Sequence, residues 1–326
     1  MVDAKKVGEW VVLGTGGTIA GTAATAEDHT GYTAAQLGVQ TLLERVPGLR
    51  NALAGDTLRS EQVAQLNSKD MDHGVWQLLA LRCAHWLAQP EVRGVLVTHG
   101  TDTLEESAWF LQSVLAPAKP LVMTCAMRPA TAVQADGPQN LLDALATARD
   151  AAGRGVLVVC GGRVHSAARV QKVHPYRLDA FDSGDAGPAG WVEQGQVRWA
   201  QALPPAQAAH PQAAQVLARP AQDWPWVVVL SSHAGVSGRQ VQALVAAGVR
   251  GIVLAGSGNG SVHADLLQAL AQAQAQGVAV RLVSRCAQGQ VVGEAAVLPL
   301  APRGLNAYKA RIDLLLGLLS AGVSNP

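Results

Sequence analysis

The chain has 326 residues, of which 49% are hydrophobic, and its 25 Lys and Arg nearly balance its 24 Asp and Glu. This length is enough for a large core and a second, smaller domain. Because nucleic acids and membrane surfaces attract a basic excess, the balanced charge argues against both as partners. No segment approaches the ~20 consecutive apolar residues of a membrane-spanning helix.

The first two-thirds of the sequence alternates short apolar runs with longer amphipathic segments, which is typical of βαβ units in a mainly parallel sheet. The predicted strands are 8–13, 57–66, 94–98, 120–124 and 155–160. The predicted helices are 34–45, 71–89, 103–115 and 138–151. A β-hairpin is predicted around the turn Gln194-Gly195-Gln196.

A stretch rich in Ala, Gln and Pro follows and predicts a linker over 204–225. Beyond it, a shorter α/β set is predicted, with strands at 226–231, 251–255 and 278–283 and helices at 237–247, 262–276 and 306–320. Gly248 and Gly277 are expected at the left-handed positions that end two of these helices. The sequence therefore predicts an α/β protein with a larger N-terminal, mainly parallel-sheet domain over 1–203 and a smaller C-terminal α/β domain over 226–326.

Two threonine-bearing turns directly follow apolar strands. The first is 14–21 (GTGGTIAG) and the second is 98–106 (THGTDTLEE). In open α/β sheets, ligands bind beyond the carboxyl ends of the strands, so both turns are expected to face one small molecule. The first turn has Ile19 where the dinucleotide fingerprint has its third glycine, and the chain has no GxxxxGK[ST] phosphate loop. These differences favour polar small-substrate chemistry over phosphate binding.

Several polar residues near these turns also have simpler structural explanations. Asp102 is a plausible N-cap of the helix that follows it. Segment 67–71 lies between a predicted strand and a predicted helix, and Ser68 or Asp70 is a plausible cap of that helix. Lys172 taken alone is typical of a solvated surface. His99 is expected to be a packing or hydrogen-bonding residue.

Other chemistries have weaker support in the sequence. There is no GxSxG elbow, no HExxH motif and no carboxylate cluster with metal-ligand spacing, so no metal and no other cofactor is expected. The four cysteines lack CxxC spacing and are predicted to be reduced and buried: Cys83, Cys125, Cys160 and Cys286.

The two turns resemble the signatures of the bacterial-type L-asparaginase/glutaminase family of amidohydrolases. Segment 15–21 is similar to the family's amino-terminal signature and segment 99–106 to its second signature. Supporting matches run in order along nearly the whole chain: Tyr32-Thr33, Ser68-Lys69-Asp70-Met71, Met127-Arg128-Pro129, 135–141, Gly258-Asn259-Gly260, and Leu305-Asn306 with Lys309-Ala310-Arg311. The resemblance implies a homotetramer of intimate dimers, with each active site shared between neighbouring subunits.

For catalysis, the resemblance implies that Thr15 is the nucleophile, on or near a mobile loop that includes Tyr32. It assigns a second catalytic group to three residues, Thr101, Asp102 and Lys172. Amide hydrolysis needs a nucleophile, a proton relay and stabilisation of an oxyanion, and these residue types can supply them. Tyr32 is one candidate to relay the proton and Lys172, oriented by Asp102, is a second. Thr101 as the first nucleophile is the alternative.

For substrate binding, the resemblance implies that Ser68 and Asp102 hold the α-carboxylate and α-ammonium groups of L-asparagine. Glu294, donated by a neighbouring subunit, is expected to be a further acidic contact. Ser261 stands where the family often has Asn beside the substrate. A smaller side chain there would leave room for one more methylene, which predicts a glutaminase side activity.

The predicted activity is therefore hydrolysis of L-asparagine to L-aspartate and ammonia by a double displacement. Two alternatives are a non-catalytic amino-acid- or nucleotide-binding α/β module and a subunit that supplies ammonia to a transamidation partner. The second alternative is disfavoured because such subunits usually carry an extra amino-terminal domain.

The expected location is the cytoplasm, because the amino terminus has no secretory signal and the chain lacks the cysteine pair of secreted members. Against this, the ending Ile19-Ala20-Gly21 is more similar to the secreted branch. The periplasm is the alternative location if a leader has been removed.

Overall fold

The computed structural model describes residues 7–200, 208–293 and 298–321. The chain divides into two compact units, Met1–Ala209 and His210–Pro326. The larger unit is built on a mainly parallel sheet flanked by helices and the smaller on a three-stranded sheet. The predicted fold class is confirmed.

The strands of the larger unit are, in chain order, β1 Glu9–Gly16, β2 Thr57–Leu66, β3 Val92–Thr98, β4 Leu121–Thr124, β5 Val156–Cys160, β6 Arg163–Ser166, β7 Gln171–Lys172, β8 Phe181–Asp182, β9 Gly190–Glu193 and β10 Gln196–Trp199. Eight of them form one sheet in the order β10-β9-β6-β5-β4-β3-β1-β2, and β7 pairs with β8. Neighbours from β2 to β5 are parallel, whereas β6, β9 and β10 are antiparallel. The last two strands confirm the predicted hairpin, and the positive φ angles of Gln194 and Gly195, 52° and 71°, are those of a type I′ turn.

The central strands read as continuous apolar runs because both faces of a parallel sheet are covered by helices. Val11, Val12 and Leu13 on β1 are completely buried, as is most of β5. Register across the sheet is level at its carboxyl edge, since Gly14 lies opposite Thr98 and Thr98 opposite Thr124. Strands β3 and β4 therefore end side by side, and β1 continues for two residues beyond them, to Gly16.

The helices of the larger unit are α1 Val39–Glu44, α2 Leu49–Leu53, α3 His73–Leu87, α4 Leu104–Leu115 and α5 Gly137–Arg149. Helix α2 was not predicted, and α1 begins five residues after the predicted start at 34. The reason is that the backbone N–H of Ala35 donates to the carbonyl of Gly17 and that of Leu37 to the carbonyl of Ala20. These bonds tie 34–38 to the first threonine turn and keep it from forming a helical turn.

The start of α5 explains the polar residues in segment 135–141. The Asp136 carboxylate accepts hydrogen bonds from the backbone N–H groups of Met127 and Arg128, both at 2.9 Å. The Asn140 amide donates to the carbonyl of Cys125 and accepts from the N–H of Gly161. These side chains thus satisfy backbone groups in the loops after β4 and β5.

The smaller unit has strands β11 Val227–Ser231, β12 Gly251–Gly256 and β13 Ala279–Ser284, which pair in parallel in that order. Its helices are α6 Ala213–Ala218, α7 Arg239–Ala246, α8 Ala264–Ala275 and α9 Ala307–Ala321. Gly248 and Gly277 have φ angles of 89° and 85°, as predicted for residues that end helices. The described part of the predicted linker contains α6, whose Val216 and Leu217 are buried. The predicted domain limits at 203 and 226 remain a prediction.

Three of the four cysteines, Cys83, Cys125 and Cys160, are buried free thiols, as predicted. The prediction is wrong for Cys286, which is exposed because it lies in an open segment just after β13. Burial raises the pKa of the Cys83 thiol, and burial together with the neighbouring Cys160 raises that of Cys125. The buried thiols should therefore be unreactive.

We expect an aromatic disulfide reagent to titrate one thiol rapidly in the native protein and all four in denaturant. The rapid reaction should disappear in a Cys286→Ser variant, since the other thiols are covered. Any thiol that still reacts rapidly in Cys286→Ser would show that a buried cysteine is accessible.

Candidate active site

The first threonine turn begins inside β1 at the carboxyl edge of the sheet, because the strand extends to Gly16 and not only to the predicted residue 13. Thr15 is buried, and its hydroxyl donates a 3.0 Å hydrogen bond to the backbone carbonyl of Thr98 at the end of β3. This bond is possible because Gly14 is level with Thr98 in the sheet. The Thr15 hydroxyl is therefore held in one orientation beside the start of the second turn.

The two threonine turns approach each other through glycines. Gly17 has a φ angle of +80°, and a Cβ added there would lie 2.3 Å from the Cα of Gly100. A Cβ added to Gly100 would lie 2.5 Å from the Oγ of Ser68. Real Cβ atoms do not approach other atoms this closely, so a side chain at Gly17 would push the two backbones apart and one at Gly100 would displace the Ser68 side chain. Three predicted site segments, 14–21, 67–71 and 98–106, thereby come together.

A polar cluster at the second turn joins three side chains. The Lys172 ammonium donates to the Thr101 hydroxyl at 2.8 Å and to the Asp102 carboxylate at 2.6 Å. Lys172 belongs to the short strand β7, where it is paired with Phe181 on β8. The Lys172 side chain is 16% exposed and that of Asp102 is 51% exposed, so the ion pair opens to solvent on the carboxylate side.

The structure corrects the predicted capping role of Asp102. Helix α4 begins at Leu104 with Thr103 as its N-cap, and the Thr103 side chain makes no capping hydrogen bond. The Asp102 carboxylate points to Lys172, while its backbone N–H donates to the Ser68 hydroxyl at 3.2 Å. Asp102 thus joins two of the predicted site residues.

The structure also corrects the predicted caps at 67–71. Neither Ser68 nor Asp70 caps α3, because the Asp72 carboxylate accepts from the N–H of Val75 at 2.8 Å and performs this role. Ser68 is buried in a short 3₁₀ turn, and its carbonyl accepts a 2.8 Å bond from the Thr103 hydroxyl. Ser68 is therefore fixed on the second threonine turn.

Tyr32 lies on a loop that returns to the first turn. Its hydroxyl is 2.7 Å from the hydroxyl of Thr18, and the backbones of Thr22 and Thr33 exchange two hydrogen bonds. In the described part of the chain, no hydrogen bond joins Tyr32 to Thr15. A proton relay between them would need a rearrangement or an intermediate such as Thr18.

Tyr176 contacts the loop that bears Tyr32 and is itself in contact with Arg128, and neither residue was assigned a role from the sequence. The Arg128 guanidinium lies 4.1 Å from the centre of the Tyr176 ring and also donates to the Tyr176 carbonyl. The Tyr176 hydroxyl is 3.3 Å from Nδ1 of His29 in the loop. The only signal for this pair in the sequence was the Met127-Arg128-Pro129 match.

In the smaller unit, Ser261 closes a tight turn after β12. Its backbone exchanges hydrogen bonds with that of Ser257, and its side chain is exposed. Within the same turn, the Asn259 amide pairs with both backbone groups of Val292 at 2.8 Å. Glu294 lies outside the described residues, so the contact predicted for it stays a prediction.

Across 7–200, 208–293 and 298–321 there is no group of three or more His, Cys, Asp or Glu side chains that could hold a metal ion. In the same ranges, no helix has the length and apolar character needed to cross a bilayer.

Two family models, taken together, and several known proteins match this chain over most of its length. Residues 10–205 match the family model "Asparaginase, N-terminal", and 226–324 match the "Glutaminase/Asparaginase C-terminal domain". The glutaminase-asparaginase of Pseudomonas fluorescens biotype A is 36% identical over 96% of this chain and 87% of its own. L-asparaginase 2 of Escherichia coli K12 is 36% identical over 94% of this chain and 88% of its own.

Among solved structures, a probable cytoplasmic L-asparaginase from Campylobacter jejuni superimposes with a TM-score of 0.87 at 34% identity, covering 95% of both chains. The two family models together match 10–205 and 226–324, and each of these three relatives covers at least 94% of this chain. The chain belongs to the asparaginase family.

Proposed function

We propose that this protein hydrolyses L-asparagine to L-aspartate and ammonia by a double displacement that uses two threonines. The observation that carries the proposal is the contact of Lys172 with both Thr101 and Asp102, next to the buried turn that bears Thr15. A hydroxyl in contact with an ammonium–carboxylate pair is suited to proton transfer. Membership of the asparaginase family supports the same reaction.

The substrate's charged groups have suitable partners in this site. The half-exposed Asp102 carboxylate can accept hydrogen bonds from an α-ammonium group. The Ser68 hydroxyl can bind an α-carboxylate close to the N-terminus of α4, where the helix dipole stabilises negative charge. Two charged anchors would orient the side-chain amide of the substrate and lower the entropic cost of attack.

In the proposed first step, the Thr15 oxygen bonds to the side-chain amide carbon and its proton leaves through the Tyr32–Thr18 hydroxyl pair. The Thr15 hydroxyl must first leave the Thr98 carbonyl, which accepts its hydrogen and cannot act as a base. Collapse of the tetrahedral intermediate then breaks the C–N bond, and ammonia departs with one added proton. The product of this step is a β-aspartyl ester on Thr15.

In the proposed second step, a water molecule attacks the ester carbon. Thr101 and Lys172 orient this water, and Lys172 takes its proton as the neutral amine. The C–O bond to Thr15 then breaks, the proton passes to the Thr15 oxygen, and L-aspartate is released. Thr101 is the alternative first nucleophile, because its hydroxyl contacts Lys172 whereas the Thr15 hydroxyl donates to a backbone carbonyl. The two orders place the ester on different residues and can be separated by experiment.

Four further properties belong to the same proposal. The small Ser261 side chain supports a glutaminase side activity, because it leaves room for one more methylene. By family resemblance we propose a homotetramer in which Glu294 of a neighbouring subunit contacts the substrate. We also propose a cytoplasmic location, since all four cysteines are free thiols and the C. jejuni relative is described as cytoplasmic.

The experiment that tests the proposal is ammonia release from purified protein, with L-asparagine and L-glutamine measured side by side over a range of concentrations. We expect ammonia release from asparagine and slower release from glutamine. If Ser261 creates the extra space, Ser261→Asn should lower the ratio of the glutamine rate to the asparagine rate. A folded oligomer that binds either amino acid without releasing ammonia would contradict the proposal and favour a binding module.

A further inference from the structure

A buried chain of hydrogen bonds lies behind the second threonine turn. The indole N–H of Trp76 on α3 donates to the Ser107 hydroxyl oxygen on α4 at 2.8 Å. The same oxygen is 2.9 Å from Nε2 of His99, whose Nδ1 is 2.7 Å from the carbonyl oxygen of Gly100. His99 and Ser107 are 0% exposed, so water does not compete for these bonds. The predicted hydrogen-bonding role of His99 is confirmed.

The chemistry of the partners fixes the protonation of the His99 ring. A carbonyl oxygen only accepts, so Nδ1 must carry the hydrogen that is donated to Gly100. An indole N–H only donates, so the Ser107 hydroxyl keeps its own hydrogen for Nε2. Burial lowers the pKa of His99 to about 4, which keeps the ring neutral. The hydrogen bonds therefore run in one direction, from Trp76 through Ser107 and His99 to Gly100.

This chain ends on the peptide that carries Thr101. In a trans peptide the C=O and the following N–H point in opposite directions, so a Gly100 carbonyl held toward His99 turns the Thr101 N–H away from it. Gly100 is also packed against Ser68 and Gly17, which leaves this peptide little room to rotate. The orientation of the His99 ring is thus coupled to the orientation of Thr101.

We infer that His99 is a positioning residue for the amidohydrolase reaction. In its Nδ1–H tautomer, which Ser107 and Trp76 select, it fixes the Gly100–Thr101 peptide and so keeps the Thr101 hydroxyl aligned with Lys172. The inference rests on the proposed function for its effect on rate. Its structural part, the tautomer, is independent of activity.

The first test uses two amides that differ in where they place a donor. The Asn side-chain nitrogen can occupy the position of Nδ1, whereas the Gln side-chain nitrogen lies near Nε2. We therefore expect His99→Asn to retain kcat within about tenfold of the wild type and His99→Gln to lose about a hundredfold, with KM changed little in either, as for a misplacement of about 1 Å. If His99 only filled space, the larger Gln would be the better substitute and the order would reverse.

A matched control comes from a second buried pair in the same unit. His165 Nδ1 is 2.8 Å from the Ser183 hydroxyl, and both residues are buried. Ser107→Ala should lower kcat at least tenfold, because the ring loses the donor that selects its tautomer. Ser183→Ala should lower the thermal midpoint of unfolding by about as much as Ser107→Ala does, but it should leave kcat unchanged. Equal kcat in the two variants would overturn the positioning role.

The tautomer itself can be read by NMR of protein labelled with ¹⁵N at both histidine ring nitrogens. We expect the signals that vanish in His99→Asn to be those of a neutral ring with protonated Nδ1 and bare Nε2. An Nε2–H ring, or a charged one at neutral pH, would overturn the inference whether or not the protein releases ammonia. A protein with the expected tautomer but no ammonia release would instead refute the proposed function.

Discussion

Replacing Lys172 by methionine is expected to lower the steady-state kcat for asparagine by about a thousandfold, within the range that proton-transfer groups usually contribute. Methionine keeps the length of the side chain but removes the donor to both Thr101 and Asp102. If Lys172 acts mainly in the second step, the ester should form and then persist. Ammonia should then appear as a single burst of about one molecule per subunit, followed by very slow release.

Lys119→Met is the matched control for this variant. Lys119 is also partly buried, and its ammonium donates to the carbonyl of Gln89, but it contacts none of the proposed site residues. It should leave kcat unchanged while losing a comparable hydrogen bond. Full turnover in Lys172→Met, or an equal loss in Lys119→Met, would remove Lys172 from the proposed mechanism.

Replacing Thr15 by valine is expected to abolish ammonia release both in the first turnover and in the steady state, a loss of about ten-thousandfold or more. Valine matches the shape of threonine but has no hydroxyl to attack the amide. Thr15→Ser, which keeps the hydroxyl, should retain activity within about a hundredfold. The folded protein should lose only about 1 kcal/mol, since one hydrogen bond to Thr98 disappears.

Thr147→Val provides the stability control for Thr15→Val. Thr147 is completely buried in α5 and its hydroxyl donates to the carbonyl of Asp143 at 2.8 Å, away from the proposed site. It should show a similar drop in the free energy of unfolding with normal kcat. A normal ammonia burst from Thr15→Val would shift the nucleophile to Thr101.

The elements that the sequence predicted well are those whose pattern is local. Strand β2 has the bounds predicted for it, and α4 and β12 differ from prediction by one residue at one end. Gly248 and Gly277 were predicted because a left-handed residue after a helix is a local requirement. Helix α1 was predicted too long because the hydrogen bonds of Ala35 to the first turn are tertiary.

In the candidate site, too, local patterns predicted some residues, whereas others depend on long-range contacts. The two threonine turns were found from strand–turn patterns alone, and the general rule for open α/β sheets predicted that they would meet. Lys172 had no such signal, since it is 70 residues from Asp102 in sequence and lies on a two-residue strand. Only the family resemblance singled it out. The preference of Asp102 for this lysine over the helix N-terminus likewise depends on a long-range contact.

Tyr32 and His99 mark the limits of reasoning by motif. The family resemblance implied that Thr15 lies on or near the loop that includes Tyr32, but the hydroxyl that Tyr32 contacts is that of Thr18. His99 was predicted to be a hydrogen-bonding residue, yet its partner Ser107 belongs to the apolar face of α4 and its other end reaches Trp76 on α3. Contacts between helices of this kind leave no periodic signature in the sequence.

The central claim is that Thr15 carries the aspartyl ester, and the most direct measurement is peptide mapping by mass spectrometry after acid quench. Wild-type protein and Lys172→Met should be mixed with L-asparagine and quenched within the first turnover. The account predicts an aspartyl adduct on the peptide that contains Thr15, more abundant in Lys172→Met. An adduct on the peptide that contains Thr101, or ammonia release with no adduct on either peptide, would contradict it.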